Sequence, residues 1–391
     1  MKNIVVLGCT GSIGKQTLSV VENLPGKFNV VALAAKGSRA ELLIDQIMRF
    51  KPRYVVVYDE TALVKIREDA RIQKLDYAIE FSSGMQGLME LSALPEADIV
   101  VNALVGMIGI QPTIATIKSG KRLALANKET LVCAGELIMK LVDEYQATMI
   151  PIDSEHGAIF QCIQGINMAD LHSVILTASG GPFRGKKRED LLDVTPAQAV
   201  KHPNWNMGVK ISIDSATLVN KGLEMIELKW LYHLNAEQII PIIHPQSIIH
   251  SMIELKDGSV LAQLSEVDMR LPIEVALLFP ERGERIIKPL SFLERSKFTF
   301  EPIDEDVFKS VPLARQTIVE GGLLPAVYNA ANEVAVAAFL DHKISFLQIY
   351  DCIEYAMEKA YQSGHNKSGY QVEDIDRVSA DVTKWIGERF L

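Results

Sequence analysis

The sequence predicts an α/β protein in three parts: an N-terminal doubly wound parallel sheet, a central α+β domain and a C-terminal helical domain. Three observations carry this. Short, unbroken apolar runs alternate with helix-length segments over residues 1–150. A glycine-rich turn, Gly8-Cys9-Thr10-Gly11-Ser12-Ile13-Gly14, follows the first run and opens the first helical segment. From about residue 312 onward, apolar residues recur at helical spacing.

The runs at 3–7, 30–34, 54–57, 99–101, 122–126 and 148–152 are β-branched or aliphatic throughout. That is the pattern of strands covered on both faces in a parallel sheet. Helical segments such as 14–23 and 40–50 lie between them. The alternation predicts a Rossmann-type doubly wound domain over 1–150. Residues 151–280 read differently. Strand runs at 173–178, 247–254 and 259–264 accompany one long helix at 215–234, and Lys256-Asp257-Gly258-Ser259 reads as a hairpin turn. A largely antiparallel sheet is expected here, of a kind that often supports dimerisation. Residues 281–311, with Pro289 and Pro302, lack periodicity and read as a linker. In 312–391, helices are expected at 312–320, 326–340 and 345–361. Ser310 and Pro312 suit the start of the first.

Composition narrows the function classes. Of 391 residues, 48% are hydrophobic and 23% charged, which fits a folded chain over most of its length. The net charge of -9 argues against nucleic-acid and anionic-membrane partners, which need a basic footprint. An anionic small substrate stays open, because local charge decides that. Cys9, Cys133, Cys162 and Cys352 form no Cys-x-x-Cys pair, as expected of free thiols in a reducing compartment. The apolar run 4–7 is too short for a signal segment, and no stretch reaches the roughly 20 apolar residues of a membrane span. A cytoplasmic location is expected.

The glycine turn sits where a strand meets a helix, the context that makes such a motif informative. Glycines let the backbone approach a pyrophosphate, the helix start offers N–H groups and partial positive charge, and Thr10 and Ser12 add hydroxyls. The spacing is G-x-x-G-x-x-G. An NAD site places a carboxylate at the end of the second strand. Here that end reads Ala34-Ala35-Lys36-Gly37-Ser38-Arg39, with no carboxylate before Glu41, so Lys36, Ser38 and Arg39 suit the 2′-phosphate of NADP.

Asp153-Ser154-Glu155 follows a strand. In an extended segment, positions i and i+2 share a side, so Asp153 and Glu155 can chelate one hard cation, Mg²⁺ or Mn²⁺. Asp-x-Glu is also a common surface pair. Asn220, Lys221 and Glu224 share a helix face. Glu224 can serve as a third carboxylate ligand, while Asn220, Lys221 and Ser215, near the helix start, can reach a phosphate. A plain surface patch reads the same way. Lys128, in Asn127-Lys128-Glu129 after the fifth strand, is a candidate substrate contact or an ordinary loop lysine. Ser179-Gly180-Gly181-Pro182 allows close approach to a ligand. Lys201-His202-Pro203-Asn204-Trp205-Asn206-Met207-Gly208 reads as a loop that is either pinned to a core or used as a lid, with His202 able to bond a phosphate or shuttle a proton. His244 and His250 read as structural.

In order along the chain, Gly8 to Gly14, Asn127-Lys128-Glu129, Asp153-Ser154-Glu155, Leu176-Thr177-Ala178-Ser179-Gly180-Gly181-Pro182-Phe183, the Lys201 to Gly208 loop, Ser215 to Glu224 and Asn329-Ala330-Ala331-Asn332-Glu333 resemble the 1-deoxy-D-xylulose 5-phosphate reductoisomerase family. Lys-His-Pro-Asn-Trp and Asn-Lys-Gly-x-Glu together are highly specific. Two departures stand out: Ala35-Lys36-Gly37-Ser38 where the family commonly has Gly-Lys-Asn, and Cys9 where Ser is usual.

The resemblance implies an NADP-dependent oxidoreductase acting on CH–OH. Family members convert 1-deoxy-D-xylulose 5-phosphate to 2-C-methyl-D-erythritol 4-phosphate with NADPH and Mg²⁺, Mn²⁺ or Co²⁺, an early step toward isoprenoid precursors, and are homodimers. By similarity, Thr10, Gly11, Ser12, Ile13, Ala35, Lys36, Gly37, Asn127, Glu129 and Gly208 contact NADPH. Asp153, Glu155 and Glu224 hold the metal. Lys128, Ser154 and Glu155 touch the substrate's carbon chain, and Ser179, His202, Ser215, Asn220 and Lys221 line its phosphate end. The catalytic set is then Lys128, Asp153, Glu155, His202 and Glu224, with Glu155 a candidate base and the His-Pro-Asn-Trp loop a closing flap. Two rivals stand beside this: a thiol-dependent semialdehyde dehydrogenase, which would need Cys133 or Cys162, and a non-catalytic NADP sensor.

Overall fold

A computed structural model describes residues 1–205 and 208–391. Residues 206 and 207, part of the expected flap, lie outside the described residues. The chain forms two compact units. One comprises Met1–Thr130, Ile138–Gly157 and Asp268–Lys288; the other comprises Leu131–Leu137, Ala158–Val267 and Pro289–Leu391.

The first unit is built on seven strands: β1 Lys2–Leu7, β2 Phe28–Ala35, β3 Tyr54–Val57, β4 Glu80–Ser83, β5 Ile99–Asn102, β6 Arg122–Leu125 and β7 Met149–Pro151. Every pairing is parallel, in the order β4-β3-β2-β1-β5-β6-β7. The order reverses between β1 and β5, so the turns leaving these two strands lie side by side at the carboxyl edge, where open α/β sheets bind ligands. Val5, Leu7, Ala32, Ala34, Val56 and Val100 pack into one buried cluster with Leu88 and Leu91. Six strands match the apolar runs. The seventh, β4, reads Glu-Phe-Ser-Ser and is only half-buried at the sheet's edge, so it carries no apolar signature. The Asn127-Lys128-Glu129 segment therefore follows the sixth strand in chain order, not the fifth.

The second unit has a four-stranded sheet: β8 Leu171–Ala178, β9 Ile239–Ile243, β10 Ile249–Leu255 and β11 Val260–Leu264, ordered β11-β10-β8-β9. β10 is antiparallel to β8 and β11, as expected, and β9 runs parallel to β8. The β10–β11 hairpin turns where the sequence placed it. Gly258 takes φ +84, and Asp257 accepts the Ser259 N–H at 2.9 Å. Residue 218 corrects the single helix expected at 215–234. Leu218 adopts a left-handed φ of +55, dividing the segment into helices Val209–Ala216 and Val219–Tyr232. Both halves are buried on several sides, so the apolar pattern runs on across the break. C-terminal helices Ser310–Glu320, Leu324–Leu340, Gln348–Gln362 and Val372–Phe390 enclose Phe339, Phe346 and Tyr350. Among the described residues 281–309 there is no helix or strand, only a bridge from Glu301 to Ile243. No helix among the described residues is long and apolar enough to cross a membrane.

Candidate active site

The turn after β1 is shaped by what a side chain would strike. Gly8 has φ +83, and a Cβ there would lie 2.7 Å from the Ala103 carbonyl carbon, in the turn leaving β5. A Cβ on Gly14 would lie 2.6 Å from Cys9 Cα. Gly11 closes the turn through its N–H to Gly8 O at 2.9 Å and starts helix Ser12–Asn23 with no side-chain cap. The result is a narrow cradle of backbone facing a helix start, which fits a pyrophosphate. Cys9 points into the core, and burial pushes its thiol up to about 12. Its carbonyl accepts from Gln46 at 2.9 Å.

At the end of β2, Ala35 and Gly37 are buried while Lys36 and Ser38 are exposed. Gly37 has φ +105, and a Cβ would come 2.9 Å from Val57 Cγ1. Glu41 is held by Arg71 at 2.8 Å. Arg39 reaches back to Thr10 O at 3.1 Å rather than projecting alone. The strand end thus presents ammonium and hydroxyl, suited to a 2′-phosphate. Asn127 is buried and caps helix Lys128–Tyr145. Its amide donates to Leu104 O, Gly106 O and Glu129 Oε2 at 2.9–3.0 Å. It fastens the loop after β5 and positions Glu129.

The acidic segment departs from the extended geometry expected of it. β7 ends at Pro151 and a helix begins at Ser154, so Asp153 sits at the junction and accepts the N–H groups of Glu155 and His156 at 3.1 and 3.3 Å. A polar helix start with few apolar residues leaves no periodicity to read. The two carboxylates still converge: ligand oxygens of Asp153 and Glu155 lie within 4.8 Å of one another. Ser154 Oγ bonds Glu155 Oε2. Lys128 Nζ lies 2.9 Å from Asp153 Oδ2, and His156 Nδ1 lies 2.9 Å from Oδ1. Burial opposes ionisation of Asp153, but Lys128 and His156 outweigh it and hold the carboxyl well below the usual carboxylate range. The donor set is all oxygen, which fits Mg²⁺ or Mn²⁺. Sequence reasoning missed His156. Its signal is the i, i+3 spacing from Asp153 at a helix start.

In the second unit, Ser179 leaves β8 and its Oγ lies 2.8 Å from His202 Nε2. Gly180 and Gly181 take φ +84 and +64, and a Cβ on Gly181 would lie 2.7 Å from Ser215 O. Burial pushes His202 down to about 4. Ser215 lies in the last turn of helix Val209–Ala216, not near a helix start as the uninterrupted pattern suggested. Gly208 caps that helix without a side chain. Lys221 and Glu224 are buried and paired. Lys221 Nζ also donates to Thr177 O, and Asn220 donates to the other Glu224 oxygen. His244 and His250 bond Thr299 O and Ser265 Oγ at 3.0 and 2.8 Å, as structural histidines do. The thiol rival loses its nucleophile: Cys133 is buried, and burial raises Cys162 to about 11.

Comparisons with known proteins agree along the chain. Profiles of 1-deoxy-D-xylulose 5-phosphate reductoisomerase match residues 4–135, of its C-terminal domain residues 149–232, and of a further DXP reductoisomerase C-terminal domain residues 264–384. Reductoisomerases of that name from Clostridium novyi (strain NT) and Clostridium botulinum (strain Loch Maree / Type A3) are 46% and 49% identical over all of both chains. The Zymomonas mobilis reductoisomerase solved with NADPH is 39% identical, covers 99% of this chain and 98% of its own, and has a TM-score of 0.90. A DOX-P reductoisomerase solved with NADPH, fosmidomycin and magnesium is 37% identical, with a TM-score of 0.93 over 100% of this chain and 98% of its own. With whole-length identity on this scale and three profiles in register, the chain belongs to the 1-deoxy-D-xylulose 5-phosphate reductoisomerase family.

Proposed function

We propose that this chain converts 1-deoxy-D-xylulose 5-phosphate to 2-C-methyl-D-erythritol 4-phosphate, an NADPH-dependent, divalent-metal-assisted rearrangement and reduction that serves isoprenoid precursor synthesis. The observation that carries the reading is Asp153, held ionised by Lys128 and His156 beside Glu155. Hydride transfer alone does not call for paired carboxylates, whereas a divalent ion held by such a pair would stabilise the charge that develops in a rearrangement next to a carbonyl. Family relatives solved with NADPH, magnesium and fosmidomycin support the same assignment. When bound, the divalent ion polarises the substrate's ketone and neighbouring hydroxyl oxygens, and NADPH supplies hydride to the aldehyde that rearrangement yields.

Asp153, Glu155 and Glu224 are assigned as metal ligands, for Mg²⁺ and also Mn²⁺ or Co²⁺. Lys128 is assigned to steady developing negative charge on the substrate, and Glu155 is assigned as the base that takes the C4 hydroxyl proton. Ser154 orients the carbon chain. Ser179, His202, Ser215, Asn220 and Lys221 grip the phosphate end, which keeps the two fragments from separating. Thr10, Gly11, Ser12, Ile13, Ala35, Lys36, Gly37, Asn127, Glu129 and Gly208 form the NADPH site. By function, residues 1–150 then act as the nucleotide domain, 151–280 as the catalytic and dimerisation domain, 281–311 as a linker and 312–391 as the helical domain, whereas in packing 268–288 belong to the first compact unit and 289–391 to the second. A homodimer is supported by Val260 and Leu261, exposed on edge strand β11. A cytoplasmic location is supported by four free cysteines.

The test is product identification. Purified chain, NADPH, Mg²⁺ and 1-deoxy-D-xylulose 5-phosphate are expected to give 2-C-methyl-D-erythritol 4-phosphate by phosphorus NMR. Nucleotide binding without product would favour the sensor reading instead.

A further inference from the structure

We infer that Asn204 is a positioning residue for His202: anchored to the turn at residues 245–247, it fixes which ring nitrogen of His202 carries the proton. The inference rests on the proposed role of Ser179 and His202 at the substrate's phosphate.

Nδ1 of His202 faces two backbone N–H groups, from Asn204 at 3.1 Å and Trp205 at 2.9 Å. A backbone N–H can only donate, so Nδ1 accepts and carries no proton. The proton of the neutral ring therefore sits on Nε2, 2.8 Å from Ser179 Oγ. Ser179 Oγ also receives the Gly181 N–H at 3.2 Å. Two donors fill its lone pairs, which leaves its own O–H to donate outward, as an anion requires. A second proton on the ring would set N–H against N–H at Nδ1. Burial acts in the same direction.

Residues 201–205 belong to no helix or strand, so the two N–H groups need an anchor. The Asn204 side chain provides one. It donates to Pro245 O at 2.7 Å and Ser247 Oγ at 2.9 Å, using both amide hydrogens. The receiving turn is itself rigid. Ser247 holds φ +53 with its N–H on His244 O, and Gln246 and Thr299 exchange hydrogen bonds. His244 bonds Thr299 O and stacks on Phe300. The chain of control thus runs from a β9–β10 turn, through one asparagine, to the ring that sets Ser179 as a donor.

The test is a long-range proton–nitrogen NMR spectrum of protein labelled with heavy nitrogen in histidine, with the His202 signals assigned by their loss in His202→Gln. The native chain is expected to show His202 protonated at Nε2 alone. Asn204→Ala is expected to mix the tautomers and to raise KM for 1-deoxy-D-xylulose 5-phosphate about five- to tenfold, with kcat within about twofold and NADPH affinity unchanged. Ser247→Ala removes one of the two anchors and is expected to give a smaller shift in the same direction; it keeps the test alive if Asn204→Ala folds poorly. A purely Nε2-protonated ring and an unchanged KM in both variants would overturn the inference. The spectrum needs neither substrate nor turnover. A native chain that fails to turn over therefore counts against the proposed function and leaves the tautomer result standing.

Discussion

The glycine turn after β1 and the Ser179–His202 and Lys221–Glu224 clusters of the second unit are built by opposite means. The turn is made of backbone: Gly8 at φ +83 against Ala103, Gly14 against Cys9, seven residues in one stretch of chain. The clusters are made of side chains. Ser179 meets His202 across 23 residues, and Lys221 meets Thr177 across 44. A backbone site tolerates a change wherever the new side chain leaves the main chain undisturbed, and fails where a Cβ would strike it, as at Gly8 and Gly14. A side-chain site has no such latitude, because each polar group is desolvated and depends on a named partner. Substitutions in the turn should therefore cost folding and nucleotide together, and substitutions in the clusters should cost turnover or substrate affinity with the nucleotide site intact.

The largest expected effect is on the cluster side. Glu224→Gln should lower kcat by at least about 100-fold while leaving NADPH affinity unchanged, since metal-site groups carry losses of this order. Steady-state kinetics beside a nucleotide fluorescence titration reads both. Gly14→Ala tests the turn. The added Cβ should destabilise the fold by about 1–3 kcal/mol and abolish tight NADPH binding, and a thermal melt with and without nucleotide checks both. If Gly14→Ala binds NADPH normally, the cradle is not where the pyrophosphate sits. His202→Gln should raise KM for the substrate about tenfold and leave KM for NADPH alone, as removal of a hydrogen bond to a charged group does.

Smaller effects sharpen the same contrast. Lys36→Gln should weaken NADPH by about three- to tenfold and NADH hardly at all, because an exposed ammonium interacts modestly. The pH dependence of stability follows from His202, depressed to about 4 in the folded chain against an ordinary value near 6.5. Between those values the unfolded chain binds the proton and the folded chain does not, so stability falls as pH drops through that window. One proton gives at most about 1.4 kcal/mol per pH unit, and His202→Gln should remove that share of the slope in urea melts.

The same contrast explains what the sequence showed. The turn was readable because glycine spacing is a local signal, and β1, β2, β3 and β5 to β7 were readable because double burial forces unbroken apolar runs. Edge strand β4 escaped because its residues, Glu-Phe-Ser-Ser, are mostly polar and only half-buried. Strand β9 escaped because Pro241 interrupts it in a short run before the His-Pro turn. The break at Leu218 escaped because the residues on both sides of it are buried, so the apolar pattern runs on through it. Asp153, Glu155, Lys221 and Glu224 could be picked out as residue types, but the pairing of Asp153 with Lys128, 25 residues away, belongs to the sheet's carboxyl edge, and the anchoring of Asn204 on Ser247 belongs to a turn 43 residues away. No local pattern carries a partner at that distance.

On the proposed reading, the acidic residues turn a hydride-transfer fold into a rearranging enzyme. That reading is tested most directly by following the NADPH absorbance band after addition of 1-deoxy-D-xylulose 5-phosphate, first with Mg²⁺, then after chelation, then with Mg²⁺ or Mn²⁺ restored. Oxidation is expected to stop on chelation and to return with the ion. Undiminished oxidation in the chelated enzyme, or none at any stage in a folded chain that binds NADPH, would contradict that reading.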